Sequence, residues 1–165
     1  MADAMEQLYQ QVILDHSRER HGEGDLDPHD GESFQVNPTC GDEVHLRVRL
    51  TPATDDAGPR VDAVGWQGQG CSISQASLSV LTDLVTGRST REVDAVNETF
   101  RELMHGRGKE LEQHKQDTLE DATAFVGVAR YPARIKCALL GWMALRDAMA
   151  HALTGEGSDR PEEDR

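Results

Sequence analysis

Three cysteines and one aspartate are the side chains of this sequence whose types and positions suggest chemistry: Cys40, Asp42, Cys71 and Cys137. An odd number of widely spaced cysteines is a poor disulfide framework. Free thiols serve instead as buried apolar side chains, as metal ligands or as nucleophiles. The residues around each cysteine have to distinguish these roles.

Cys40 and Asp42 lie on either side of Gly41, in the segment Asn-Pro-Thr-Cys-Gly-Asp that precedes a candidate strand. Glycine lets the backbone turn without a Cβ clash, so the thiolate and the carboxylate could point at one centre. The alternative is an ordinary turn cysteine, with Asp42 accepting a local hydrogen bond.

Cys71 follows Gly68-Gln-Gly70, at the point where a strand pattern changes to a helical one. A helix N-terminus stabilises a thiolate through its unpaired N–H groups and positive dipole end. The glycines would keep this position open to a ligand or a partner. The alternative is a helix start in which Ser72 is the N-cap residue and the cysteine is incidental.

Cys137 lies in the first turns of the last predicted helix, three residues after Arg134. A buried cysteine on the apolar face of a helix is a common alternative to a ligand. By spacing alone, Arg134 and Cys137 simply share a helix face.

Taken together, three thiolates and one carboxylate make a four-ligand set that suits Zn²⁺, or a [2Fe–2S] cluster with one oxygen ligand. The cysteines are separated by 31 residues (71 − 40) and by 66 residues (137 − 71). Such spacings are too long for a zinc ribbon, whose ligands lie close together in sequence. We therefore expect the fold to assemble the site.

Hydrophobic periodicity predicts the elements that position these residues. Apolar residues at helical spacing predict helices, and the alternation from Val44 to Leu50 predicts a strand with one buried face. The predicted elements are a helix over 3–18, an edge strand over 33–37, strands over 44–50 and 61–67, a helix from Ser72 to Gly87, two or three shorter helices within 90–129 and a helix over 133–153. This order predicts an α+β fold, in which helices pack on one face of a small three-stranded antiparallel sheet.

Length and charge narrow the functional class. The 165 residues suit one domain, and we expect residues 1–154 to form it and residues 155–165 to be an acidic, disordered tail. The net charge of −13 argues against nucleic acid and anionic membranes as partners, because both select clusters of basic side chains. The first ten residues lack the charged and apolar regions of a signal peptide, so we expect a cytoplasmic protein.

Histidines and tryptophans receive simpler interpretations. No histidine sits beside a cysteine, and we expect most of the seven to be solvated at the surface: His16, His21, His29, His45, His105, His114 and His151. Trp66 and Trp142 occupy apolar phases of their elements, and we expect both in the core.

Three ordered motifs give the sequence a family resemblance that covers about residues 3–153. They are Asn-Pro-x-Cys-Gly-Asp at 37–42, Gly-x-Gly-Cys-x-Ile-Ser-x-Ala-Ser at 68–77 and Tyr-Pro-Ala-Arg-Ile-Lys-Cys at 131–137. With them the chain resembles the NifU N-terminal or IscU-like iron–sulfur assembly proteins. Within this family it is most similar to the SufU branch, because Lys136 stands where IscU-type proteins have histidine and residues 88–130 are long enough for the extra SufU sequence.

The resemblance implies a SufE/NifU-like sandwich fold and four metal ligands, which are Cys40, Asp42, Cys71 and Cys137. It also implies a tightly bound zinc and sulfurtransferase activity only together with a SufS-like cysteine desulfurase. Cys40 would accept the sulfur, Arg134 would assist partner docking or ligand exchange, and downstream cluster-assembly proteins would receive the product. The chain would be a monomer or a weak dimer.

Two other functions stay open at the level of sequence. The same four ligands could form a scaffold on which a transient [2Fe–2S] cluster is built, because a hard carboxylate binds iron–sulfur units less firmly than a thiolate does. A purely structural zinc domain is the third reading, although such sites usually have cysteine and histidine ligands at short spacings.

Overall fold

A computed structural model describes residues 4–39 and 41–155 of the chain. Cys40 and the predicted tail beyond Gly155 lie outside these described residues. In chain order the elements are α1 (Ala4–Glu19), β1 (Gly31–Asn37), β2 (Asp42–Thr51), β3 (Arg60–Gln69), α2 (Ser72–Val85), α3 (Thr90–Met104), α4 (Gln113–Leu119), a 3₁₀ helix (Glu120–Arg130) and α5 (Pro132–Thr154). The predicted element order is confirmed.

The three strands form one antiparallel sheet in the order β1-β2-β3, so β1 and β3 are its edges. Side chains along β2 alternate between buried and partly exposed from Asp42 to Leu50. This alternation is the period of two that the sequence predicted, since successive strand residues point to opposite faces. The α+β prediction is confirmed.

The core forms where α5 and α2 cover the sheet. Trp66 and Trp142 are 0 % and 1 % exposed, which confirms both as core residues. Phe100 stacks on the Trp142 ring at a centroid distance of 4.7 Å. At Gly141 of α5, an added Cβ would lie 2.6 Å from a methyl group of Leu78, so glycine allows α2 and α5 to approach closely. None of the described helices is both long enough and apolar enough to cross a lipid bilayer.

Two of the histidines correct the expectation of solvated surface positions. His16 and His29 are only 5 % and 4 % exposed. The ring of His16 lies within hydrogen-bonding distance of Ser79 and Asp121, and that of His29 within hydrogen-bonding distance of Glu32. The prediction was wrong for these two rings because hydrogen-bond partners satisfy them on burial; those of His16 are distant in sequence, whereas Glu32 lies only three residues from His29.

The topology brings the ends of several elements to one edge of the sheet. Since β2 and β3 are antiparallel, the residue that begins β2, Asp42, lies beside the end of β3 at Gln69. Helix α2 begins only three residues after that strand end, at Ser72. The first turns of α5 reach the same edge, as the position of Cys137 shows.

Candidate metal centre

Asp42, Cys71 and Cys137 meet at this edge of the sheet. Each offers one ligand atom, and the three atoms all lie within 4.8 Å of one another. We call these three residues the thiolate cluster. Cys40, the fourth predicted ligand, is outside the described residues and comes two positions before Asp42 in the chain. The structure thus brings together the three predicted ligands that it describes, and their role as ligands stays a prediction.

The connection between β1 and β2 sets the position of Asp42. Asn37 pairs with Asp42 across the two strands, and its backbone carbonyl accepts a 2.8 Å hydrogen bond from the Gly41 N–H. The Asn37 side chain accepts a second bond, from the Thr39 N–H at 3.2 Å. Gly41 has a φ of +76°, a conformation that side-chain-bearing residues rarely adopt. This tight turn starts β2 with Asp42 buried, at 1 % exposure.

The segment that follows β3 holds the Asp42 carboxylate in place. The Cys71 backbone N–H donates a 3.0 Å hydrogen bond to Asp42 Oδ1. A Cβ added at Gly70 would collide with the same oxygen and lie 2.5 Å from Ser74 Oγ. Ser74 in turn donates to the Cys71 carbonyl at 2.9 Å. The position of the Asp42 carboxylate therefore depends on the absence of a side chain at Gly70.

The two described cysteines have different surroundings. Cys71 is partly exposed and is itself the N-cap residue of α2, with no side-chain capping bond. The alternative with Ser72 as N-cap is therefore wrong, since Ser72 is the first helical residue. Cys137 is 1 % exposed, and its thiol donates to the Ala133 carbonyl at 3.6 Å.

The N-terminus of α2 contributes to the electrostatics of the thiolate cluster. Cys71 caps α2, at the positive end of that helix's dipole, whereas Cys137 lies in the second turn of α5. The helix dipole acts mainly within the first turn, so it bears on Cys71 rather than on Cys137.

The first five residues of α5 include two exposed cationic side chains, close in sequence to Cys137. Arg134 and Lys136 are both exposed. Neither makes a side-chain hydrogen bond or ion pair within residues 4–39 and 41–155. The Tyr131 side chain that precedes them is 61 % exposed. A guanidinium without a partner among the described residues, on a chain of net charge −13, is available for contact with another molecule.

The donor set fits a thiophilic metal. Thiolates select Zn²⁺ or iron–sulfur units, whereas Ca²⁺ and Mg²⁺ require sites made of oxygen ligands. A single buried carboxylate held by a backbone N–H can supply one further ligand. The residues present therefore suit the zinc or iron chemistry that the sequence predicted.

Sequence reasoning missed two features of the molecule. It interpreted the glycines before Cys71 as openness, whereas Gly70 instead makes room for the Asp42 carboxylate. It also missed a second group of potential ligands, formed by His16, His21 and Asp83. His16 and His21 are five positions apart, but Asp83 is 62 positions beyond His21 (83 − 21), and no local motif links it to them.

Comparisons with known proteins agree with the motifs. The family model described as the NifU-like N-terminal domain matches residues 8–138. A Streptococcus pyogenes serotype M1 protein named iron–sulfur cluster assembly scaffold protein IscU is 37 % identical over 150 residues, which cover 90 % of this chain and 87 % of that protein. Zinc-dependent sulfurtransferase SufU of Bacillus subtilis strain 168 is 38 % identical over 149 residues, 88 % of this chain and 92 % of that one.

A solved structure shares the fold of this chain. The crystal structure of FiSufU from Fervidobacterium islandicum AW-1 superposes with a TM-score of 0.69 at 29 % sequence identity. The match covers 87 % of this chain and 97 % of that one, so the two share the whole domain rather than a fragment.

Proposed function

The chain belongs to the NifU-like N-terminal domain family, whose members act in iron–sulfur cluster assembly, and we propose that it accepts sulfur from a cysteine desulfurase onto Cys40. The observation that carries the proposal is the convergence of Asp42, Cys71 and Cys137 within 4.8 Å, with Cys40 two residues away along the chain. A relative named a zinc-dependent sulfurtransferase supports it.

Four residues would hold a zinc ion in this proposal: Cys40, Asp42, Cys71 and Cys137. Bound zinc would keep the thiols ionised at neutral pH without adding redox chemistry of its own. The chain's own contribution is to fix the ligands, because the Cys71 N–H orients the Asp42 carboxylate and Cys71 itself is held at the N-terminus of α2.

The sulfur transfer is a thiolate exchange. The Cys40 thiolate attacks the outer sulfur of the desulfurase persulfide, and a new sulfur–sulfur bond forms on Cys40 as the old one breaks. The electron pair of the broken bond leaves with the desulfurase cysteine as its thiolate, so no external oxidant or reductant is needed. Arg134 is a positioning residue in this scheme, because its exposed guanidinium can pair with an acceptor of the docked partner.

The direct test is to locate the transferred sulfur. The protein is incubated with a cysteine desulfurase and cysteine, and peptides are analysed by mass spectrometry without reduction. We expect one added sulfur atom on the peptide containing Cys40, and loss of desulfurase stimulation in Cys40→Ala. The neighbouring change Thr39→Ala is the matched control and should leave both readouts intact. Undiminished stimulation by Cys40→Ala would overturn the proposal.

Assembly of a transient [2Fe–2S] cluster on the same residues is the second candidate function. A relative named a cluster assembly scaffold is 37 % identical to this chain, and a carboxylate among the thiolates favours a labile cluster. Anaerobic reconstitution with iron and sulfide separates the two. A visible chromophore that transfers to an apo-acceptor favours the scaffold, whereas about one zinc per chain with no iron in the purified protein favours sulfur transfer.

Location and partner charge follow from the same proposal. We also propose a cytoplasmic location, because three widely spaced cysteines make a poor disulfide framework and suit a reducing compartment. With a net charge of −13, the chain should meet a desulfurase through a basic surface of that partner. Added salt should therefore slow their association.

A further inference from the structure

A second group of potential metal ligands lies where the end of α1 meets α2. His16 belongs to the last turn of α1, His21 follows that helix, and Asp83 lies in α2. One ligand atom from each residue lies within 4.8 Å of the other two. We call this group the histidine cluster. None of its residues belongs to the motifs behind the proposed sulfur transfer.

The histidine rings are held by partners on both of their nitrogens. His16 Nδ1 lies 2.8 Å from Ser79 Oγ, and its Nε2 lies 2.9 Å from Asp121 Oδ2. His16 is 5 % exposed and its contact with Ser79 is buried, whereas the Asp121 side chain is 63 % exposed. A ligating histidine typically binds metal through one nitrogen and bonds a carboxylate or other acceptor through the second. His16 would follow this pattern if one ring nitrogen exchanged its present partner for the metal while the other kept its own.

His21 has a similar arrangement nearer the surface. Its Nδ1 lies 2.6 Å from Asp83 Oδ2, and its Nε2 lies 3.0 Å from Glu19 Oε2. The backbone N–H of His21 donates to Ser79 Oγ at 3.0 Å, and this serine also contacts His16. Ser79 thus ties both histidines to one point on α2. The two rings lie 5.2 Å apart, centroid to centroid, edge to face.

Charge around the histidine cluster favours a cation. Carboxylates of Glu19, Asp83 and Asp121 surround two imidazoles that are uncharged when deprotonated. The neighbouring Arg20 does not neutralise them, because its guanidinium pairs with Glu23 and lies over an indole ring. The cluster therefore carries an excess of negative charge that a divalent ion would offset.

We propose that His16, His21 and Asp83 form a second metal site, which binds a divalent transition-metal ion of the zinc, cobalt or nickel class. Imidazole nitrogens together with one carboxylate suit these ions, whereas Ca²⁺ and Mg²⁺ prefer oxygen ligands alone. The bound ion would fasten the end of α1 to α2. The site is chemically distinct from the thiolate cluster because it contains no sulfur.

The test measures zinc bound per chain in the full-length protein after exposure to excess ZnCl₂ and removal of free metal. We expect His21→Ala and Asp83→Asn each to hold one zinc fewer than the wild-type chain. Both side chains are substantially exposed, at 38 % and 52 %, so these variants should fold. His114→Ala is the matched control, because that ring is 71 % exposed beside Glu112 on another element.

Two outcomes would overturn the second site. The first is equal zinc content in wild type, His21→Ala and Asp83→Asn. The second is an equal loss in His114→Ala, which would mean that exposed histidines bind zinc indiscriminately. Zinc binding in the Cys71→Ala chain gives an independent readout, since it disables the thiolate cluster alone. One zinc should remain there and disappear when His21→Ala is added.

Discussion

The thiolate cluster and the histidine cluster each bring three potential ligand atoms within 4.8 Å, yet they differ in burial and in origin. Asp42 and Cys137 are each 1 % exposed, whereas the side chains of His21 and Asp83 are 38 % and 52 % exposed. The thiolate cluster stands mainly at the ends of elements, beside glycines. The histidine cluster depends on two helices packing face to face.

This difference explains why only one cluster was visible in the sequence. A ligand at a turn or a helix start needs local features such as Gly41 and Gly70, and these leave a motif. A ligand such as His16, on the buried side of a helix, needs only a suitable neighbour. Here the neighbour, Asp83, is 67 positions away (83 − 16).

The largest expected effect comes from removing a ligand of the thiolate cluster. Cys71→Ala should lose the zinc of that site and lower the free energy of unfolding by roughly 4 kcal/mol when free zinc exceeds its dissociation constant about a thousandfold. Elemental analysis and denaturant unfolding measure both quantities. Ser72→Ala, at the next and exposed position, should change neither. Retention of all the zinc by Cys71→Ala would remove this cysteine from the site.

A smaller effect is expected from adding one methyl group beside Asp42. In Gly70→Ala the new Cβ collides with the Asp42 carboxylate, so the variant should lose metal affinity and roughly 1–3 kcal/mol of stability. Zinc titration and thermal unfolding check this. Gly127→Ala, where a Cβ meets nothing within 4 Å, is the control. If both variants behave alike, the close approach does not hold the ligand.

Substitution of the exposed Arg134 should weaken binding of the partner protein and leave metal binding unchanged. Arg134→Ala should raise the concentration needed for half-maximal desulfurase stimulation by about tenfold, or ~1.4 kcal/mol, as expected for one charge-assisted hydrogen bond. Zinc content should stay unchanged. Arg146→Ala removes an exposed arginine further along the same helix and serves as the control. Equal effects of the two changes would point to overall charge instead.

The smallest expected effect concerns Glu32, whose carboxylate contacts the rings of His29 and His45, outside both clusters. Burial by itself raises the pKa of Glu32, but hydrogen bonds from His45 and His29 outweigh it, and the pKa lies below its ordinary value. A lowered carboxyl pKa stabilises the fold above the unfolded value of about 4.5, and the benefit disappears as pH falls through the folded value.

Glu32→Gln tests this assignment in unfolding experiments between pH 6 and pH 3, taken as roughly the range over which carboxyl groups titrate. The stability difference from wild type should be largest near pH 6 and should shrink as the pH falls. A difference that stays constant with pH would show that Glu32 acts through packing alone.

Local periodicity was sufficient for most elements but not for every boundary. The strand predicted from residue 33 begins earlier, at Gly31, which pairs with Val48 of β2 and where a Cβ would strike the Ala148 carbonyl of α5. That contact joins residues over a hundred positions apart, so the sequence around Gly31 does not reveal it. The boundary between α4 and the 3₁₀ helix was likewise not predicted; it lies at Glu120, which has a φ of +48°.

The sequence by itself determined the family, the alternation that makes β2 one-sided and which side chains are candidate ligands. Those properties depend on side-chain chemistry and on the repeat of a strand or helix, which are local. Only the tertiary structure decided that Cys71 and Cys137 lie together at the edge where Asp42 begins β2, and that His16 and His21 face Asp83. Such proximity arises from how whole elements pack, because packing of distant surfaces has no counterpart in the spacing of neighbouring residues.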